Sequence, residues 1–218
     1  MEHLRLRYQT IEFDDIDIHL CTLRNRQEYY DPENTAKNLG ISSATWPIFG
    51  VVWPSSVILA QYMYHSKLGT KKILEVGCGI GLSSLLLNKL HKDITATDYH
   101  PESQHFLERN TTLNHQSPIP FERTDWSVHS DHLGLFDVII GSDLLYEESH
   151  AELLSGFIQL HAKPNCEVII VDPGRGNKNK FKRRMKGFGF ISSELKPTST
   201  DSISSKFKGY ILKFIRNR

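Results

Sequence analysis

Hydrophobic positions along the chain follow two rhythms. Short continuous apolar runs recur at Ile73-Leu74-Glu75-Val76, Phe136-Asp137-Val138-Ile139-Ile140 and Val168-Ile169-Ile170-Val171. Runs of that length suit strands buried on both faces, as in a parallel sheet. Between them the apolar residues return at helical spacing. Examples are Val57, Leu59, Ala60, Tyr62 and Met63; Leu82, Leu85 and Leu86; Phe106, Leu107 and Leu113; and Leu153, Leu154, Phe157 and Leu160. Residues 93–97 and 120–124 read as two further strands, and 190–195 and 206–215 as two closing ones, the last alternating through Phe207, Tyr210, Leu212 and Phe214. Strands interleaved with helices predict an α/β fold, a Rossmann-like, mostly parallel seven-stranded sheet with helices on both faces.

The N-terminal part has a different period. Ile11 and Phe13, then Ile16, Ile18 and Leu20, alternate around Asp14-Asp15 and predict a β-hairpin with a tight acidic turn. Residues 31–45 are polar and turn-rich and read as a loop able to order over a ligand. The expected organisation is an N-terminal hairpin-and-loop extension, 1–45, followed by one domain, 46–218. Residues 197–205 read as a mobile loop.

Composition narrows the class without naming a function. With 218 residues, 39% hydrophobic and 23% charged, the chain suits one globular domain. A net charge of +1 gives no overall field to recruit nucleic acid or an anionic membrane. No run approaches the length of a membrane helix, and the N-terminus lacks the apolar core of a signal peptide. Cys21, Cys78 and Cys166 have no metal-type spacing and suit a reducing interior. The expectation is a cytoplasmic monomer.

Chemistry concentrates where strands end. After Val76 come Gly77, Gly79 and Gly81, then a helical pattern. A strand, a glycine turn and a helix form a nucleotide-binding βα unit, although a plain β-turn-α connection uses the same residues. A dinucleotide fingerprint wants glycine or alanine where this chain has Leu82, and Glu75 fits poorly beside two phosphates. Asp98-Tyr99 ends the second strand, and a carboxylate there can accept from both hydroxyls of a ribose; capping of the next helix is the competing role. Asp125-Trp126 follows the third strand and offers an acceptor and a face to an adenine. Ser142-Asp143-Leu144-Leu145-Tyr146 follows the fourth. Asp172-Pro173-Gly174-Arg175-Gly176 follows the fifth, where Arg175 either meets an acidic group of a substrate or is an exposed turn residue. Trp46 and Trp53 flank the start of the first long helix and pack on the core or on a cofactor. Lys178, Lys180, Lys182, Arg183, Arg184 and Lys186 form a basic helix face, read as a solvated surface or a contact for an acidic partner.

Over residues 46–215 these pieces resemble the seven-β-strand methyltransferases that use S-adenosylmethionine (SAM), and within them methyltransferase family 16, which contains many protein-lysine methyltransferases. The resemblance rests on Gly50-Val51-Val52-Trp53-Pro54-Ser55, on Glu75-Val76-Gly77-Cys78-Gly79-Ile80-Gly81, on Asp125-Trp126 and on Asp143-Leu144-Leu145-Tyr146. It implies SAM as cofactor, with Trp53, Glu75, Gly77, Cys78, Gly79, Gly81, Asp98, Tyr99, Asp125, Trp126 and Ser142 at its site, and Asp143 and Tyr146 beside the transferred methyl. It implies no metal. The acceptor it implies is a protein lysine, with a small molecule, or silent SAM binding without catalysis, as rival readings. Neither a membrane nor a nucleic acid is expected as partner.

Overall fold

The computed structural model describes residues 5–25, 31, 34–43, 46–128, 132–197 and 207–217. Among them, β1 (Leu6–Phe13) and β2 (Ile16–Leu23) form an antiparallel hairpin. Its turn residue Asp14 takes φ 46°, a left-handed conformation that aspartate tolerates. A short helix, α1 (Thr35–Asn38), lies where a loop is expected, its first-turn amides bonded to the buried Asp31 carboxylate. A 3₁₀ helix at Trp46–Gly50 leads into α2 (Pro54–Tyr64), which opens on proline, the residue with no N–H to leave unpaired.

Then β3 (Lys72–Val76), α3 (Leu82–Lys89), β4 (Asp93–Asp98), α4 (Glu102–Leu113) and β5 (Phe121–Arg123) alternate. They are followed by β6 (Phe136–Ser142), α5 (His150–His161), β7 (Ala162–Asp172), α6 (Lys178–Gly187), β8 (Ile191–Leu195) and β9 (Tyr210–Arg216). The seven-stranded sheet has the order β5-β4-β3-β6-β7-β9-β8. Pairs from β5 through to β7 are parallel, and β9 runs antiparallel to both neighbours.

Alternation along the central strands builds two cores. Ile73, Val138, Ile140, Ile169 and Val171 face α2, α3 and the hairpin residues Phe13, Ile18 and Leu20. Leu74, Val76, Ile139, Val168 and Ile170 face the opposite layer, with Leu154, Phe157, Phe181 and Met185 of α5 and α6. A sheet covered on both faces explains the continuous apolar runs. Details differ from the periodicity. Leu160, expected toward the sheet, is 42% exposed, while Ala151 and Ile158 turn inward. The start of β7 extends back to Ala162 because the buried Arg216 guanidinium binds the carbonyls of Ala162, Lys163 and Pro164. The expected mobile loop lies almost wholly outside the described residues, as does the Trp46 side chain.

Candidate functional site

The chain order in the sheet reverses at β3, which leads to β4 and β5 on one side and lies beside β6 and β7 on the other. Open α/β sheets hold ligands in the crevice that such a reversal leaves at the strands' carboxyl ends. Here a cavity of about 620 Å³ opens there, within the usual size range of cofactor sites. Loops after β3, β4, β5, β6 and β7 all reach it, and Ile41, Ile48, Phe49 and Trp53 roof it.

Gly77, Gly79 and Gly81 take φ 62°, 56° and 79°, a region costly for other residues. A Cβ on Gly77 would fall 2.5 Å from Leu144 Cδ2, and one on Gly79 would fall 2.9 Å from the Phe49 carbonyl oxygen. One on Gly81 would collide with Leu107. The glycines are thus required by the chain's own packing and backbone as well as by any ligand. Gly77, Cys78 and Gly79 line the cavity; Gly81 does not, and instead caps α3.

Glu75 also lies off the cavity. It is buried under the loop, where its Oε2 accepts from the Ser84 N–H (2.9 Å) and hydroxyl (2.5 Å). Burial pushes its pKa up to about 7 against the pull of those bonds. Asp98 is the strut of the loop: its Oδ2 accepts from Gly79 N–H and its Oδ1 from His100 N–H, both at 2.8 Å. A carboxylate oxygen can accept more than one hydrogen bond. Burial raises its pKa despite these bonds, and raises the Cys78 thiol well above its usual range, so Cys78 is a wall group here.

Across the cavity, Asp125 Oδ1 accepts from the Ser127 N–H and hydroxyl at 2.8 and 2.7 Å. Beside it the Thr124 hydroxyl is buried with no partner among the described residues. Trp126 meets His150 edge-on, with ring centroids 5.4 Å apart. Trp53 donates from Nε1 to the Ile48 carbonyl, which braces its indole on the 3₁₀ helix. The Tyr99 hydroxyl donates to the Leu39 carbonyl at 2.5 Å and draws the segment carrying Ile41 onto the site.

At the mouth, Asp143 has φ 58°, an uncommon value for a residue with a side chain. Its Oδ1 accepts from Arg175 Nε at 2.6 Å, with 10% of the Asp143 side chain and 39% of the Arg175 side chain exposed. Tyr146 is 40% exposed, packs edge-on to His150 at 4.5 Å and lies 5.9 Å from the Arg175 guanidinium carbon. Desolvation, aided by nearby carboxylates, pushes its hydroxyl pKa up to about 12, so it stays protonated. Eleven of the thirteen residues singled out in the sequence line this one cavity.

Sequence reasoning missed Phe49, His100, Thr124 and His150, all in the wall. His100 stacks on Phe49 at 4.0 Å, and burial pushes its pKa down to about 4. His150 donates from Nδ1 to the Leu144 carbonyl and so fixes the loop after β6. Only the spacing of His150 four residues beyond Tyr146 hinted at it. Among the described residues no His/Cys/Asp/Glu group is arranged to hold a metal ion, and no helix is long and apolar enough to cross a membrane.

The donor set fits SAM. Asp98 offers acceptors for ribose hydroxyls, Asp125 and the orphan Thr124 hydroxyl offer partners for an adenine edge, and Trp126 and Phe49 supply apolar walls. Solved structures share the fold. A methyltransferase from Pyrococcus furiosus matches with TM-score 0.59 at 20% identity over 74% of this chain and 84% of that one. Magnesium protoporphyrin IX methyltransferase from Synechocystis, with bound SAM, matches with TM-score 0.59 at 15% identity over 87% and 99%.

Among curated proteins, the histone-arginine methyltransferase METTL23 of Xenopus laevis is 36% identical over 125 residues, 53% of each chain. The protein N-lysine methyltransferase METTL21A of Danio rerio is 30% identical over 127 residues, 54% of this chain and 55% of the relative. The chain thus spans about half the length of the curated relatives it matches. The lysine methyltransferase family model matches residues 35–188. With most of its length inside that match, the chain belongs to the lysine methyltransferase family, methyltransferase family 16.

Proposed function

We propose that the chain is a SAM-dependent methyltransferase whose acceptor is the side-chain nitrogen of a protein lysine. The observation that carries this is the placement of Asp143 and the half-open Tyr146 at the mouth of the cavity whose inner wall holds Asp98 and Asp125. A silent SAM binder would have no need of a carboxylate and an aromatic aimed at the opening.

The cofactor, when bound, supplies a methyl on a sulfonium, ready for in-line displacement. The chain's own part is alignment and exclusion of water. Asp98 and the Gly77–Gly79 loop hold one end, Asp125 and Trp126 the other. An incoming ammonium meets Asp143 through charge-assisted hydrogen bonds, with Tyr146 as wall. A lysine must first lose a proton, which at pH 7 costs about 4–5 kcal/mol from its usual pKa near 10.4. The desolvated, aromatic-sided mouth lowers that cost. With SAM bound, its methyl would pass to the neutral amine and the C–S electron pair would stay on sulfur, the lysine proton having left to water. Tyr146 is protonated at neutral pH and takes no proton.

Arginine is the second reading. It is favoured by the relatives named as histone-arginine methyltransferases and by an Asp143 that already accepts from a guanidinium. The three cysteines, all free and buried, support a reducing compartment, and we assign the protein to the cytoplasm as a monomer.

Incubation with tritiated SAM and a cytosolic lysate freed of small molecules, beside an Asp143→Ala control, tests the reading. The expected result is a discrete labelled protein band that the control lacks, yielding methyl-lysine on hydrolysis. Methyl-arginine would move the assignment to the second reading. SAM binding without any labelled protein would overturn both.

A further inference from the structure

Arg175 is the sole lysine or arginine among the described residues that line the cavity, and it occupies the carboxylate to which the proposed function brings an incoming cation. Its base is fixed by the turn, and its tip is partly exposed. The buried Asp172, at the end of β7, accepts from the Gly174 and Arg175 amides at 2.8 and 2.9 Å through one oxygen. Gly174 takes φ 105°, a conformation that side chains rarely adopt, so the turn is set by that glycine and that acid together. The guanidinium stands at the mouth, partly exposed, between Asp143 and the Tyr146 ring.

Two cations cannot share one nearly buried carboxylate without repulsion. An ammonium that arrives at Asp143 must therefore displace Arg175, and the displaced guanidinium needs a new acceptor. The remaining carboxylates of the loops after β6 and β7 are engaged or enclosed: Glu147 lies against His150, Glu148 against Lys180, and Asp172 holds the turn through one oxygen while its other is buried. The other acids of the cavity wall, Asp98 and Asp125, belong to the loops after β4 and β5, where Gly79, His100 and Ser127 already bond to them.

We infer that Arg175 is a specificity-determining residue: it holds Asp143 in the free protein and exchanges onto an acidic side chain next to the target amine of the substrate. The favoured acceptor is a lysine with a glutamate or aspartate beside it. Both charge pairs are then kept, whereas a lysine in a neutral setting leaves a guanidinium without a partner. This inference rests on the functional reading above.

Its test uses the full chain loaded with S-adenosylhomocysteine and two probes, N-acetyl-Lys-Glu-amide and N-acetyl-Lys-Gln-amide, with affinities read by NMR titration. Wild type is expected to bind the glutamate probe about fivefold more tightly, the upper range for a partly exposed ion pair. Arg175→Gln, with Asp143 freed, is expected to bind both probes equally and n-butylammonium more tightly than wild type does. Equal affinities in wild type, discrimination that survives in Arg175→Gln, or no binding of either probe to either protein would each overturn the inference. Calorimetry with SAM separates the two levels. Loss of SAM binding in wild type would overturn the functional reading, whereas SAM binding with undiscriminated probes would overturn this inference alone.

Discussion

Glu75 is a carboxylate placed where ionisation is costly, and its acidity has consequences for stability. Its folded pKa, about 7, stands above the ordinary 4.5. Between those values the unfolded chain ionises the group more readily than the folded one does. Its contribution to stability is therefore most favourable at low pH and declines as pH rises from about 4.5 to about 7, by about 3 kcal/mol in all. His100 works in the opposite sense: burial holds its pKa near 4 rather than 6.5, so stability falls as pH drops through that window. Glu75→Gln keeps an oxygen for Ser84 and removes the charge. The expected outcome is a variant equal to wild type at pH 4.5 and about 3 kcal/mol more stable at pH 7.5, read from urea midpoints at both values. Equal midpoints at pH 7.5 would refute it. Individual residues were unevenly legible. Asp98, Asp125, Asp143 and Tyr146 could be found because each follows an apolar run at a strand's carboxyl end. Glu75 was found with them, but its place under the glycine loop, bonded to Ser84, depends on the face of β3 that its side chain takes. His100 and Thr124 gave no signal, because their roles depend on Phe49 and on a cavity wall that only folding assembles.

Helix α4 performs a task that periodicity does not reveal. A two-stranded hairpin is marginal by itself, and the outer edge of β2 carries backbone groups that need partners. Asn114 Oδ1 accepts from the His19 N–H at 2.8 Å while its Nδ2 donates to the His19 carbonyl at 2.6 Å. One turn earlier, Asn110 Oδ1 accepts from the Cys21 N–H at 2.7 Å and its Nδ2 donates to the Ile80 carbonyl at 3.3 Å. The two amides, four apart on one helix face, replace a neighbouring strand and tie the hairpin to the glycine loop. Asn114→Ala should cost about 1–3 kcal/mol, since it strands backbone groups of His19. Hydrogen exchange at the His19 amide should quicken well beyond that of the sheet core, and unchanged exchange there would refute the account. Reading the chain located both hairpin strands but not this attachment, because polar residues on a helix carry no periodic mark. The basic helix α6 was similarly half-legible. Its charges were plain, yet Lys178 and Lys182 bind Glu194, Lys180 pairs with Glu148 and Arg184 with Glu152. Four of its six cations are thereby committed to α5, β8 and the approach to α5, which leaves little for a nucleic-acid backbone.

The whole molecule is two cores pressed on one sheet, with a single crevice drawing on the ends of five strands. Alternating runs made that plan legible because both rhythms, strand and helix, are set by burial alone. What could not be read was how the ends of the chain finish it. Arg216 fastens the start of β7 and stacks over Phe190, a contact that depends on the antiparallel return of β9. The same architecture predicts a global response to the cofactor. A ligand that touches the loops after β3, β4 and β5 binds the folded state and has no comparable site in the unfolded chain. At a hundred times its dissociation constant it adds about 2.7 kcal/mol. For a chain of 218 residues that raises the melting temperature by about 5–10 °C. Asp125→Ala removes an acceptor whose hydrogen bonds among the described residues are those of the local turn to Ser127, so the melting temperature without ligand should hardly move. Loss of one charge-assisted bond weakens binding about tenfold, and at the same SAM concentration the gain falls to about 1.4 kcal/mol, half the wild-type shift. Scanning calorimetry of both proteins with and without SAM decides the matter. A full shift in Asp125→Ala would remove Asp125 from the cofactor site, and no shift in wild type would remove SAM.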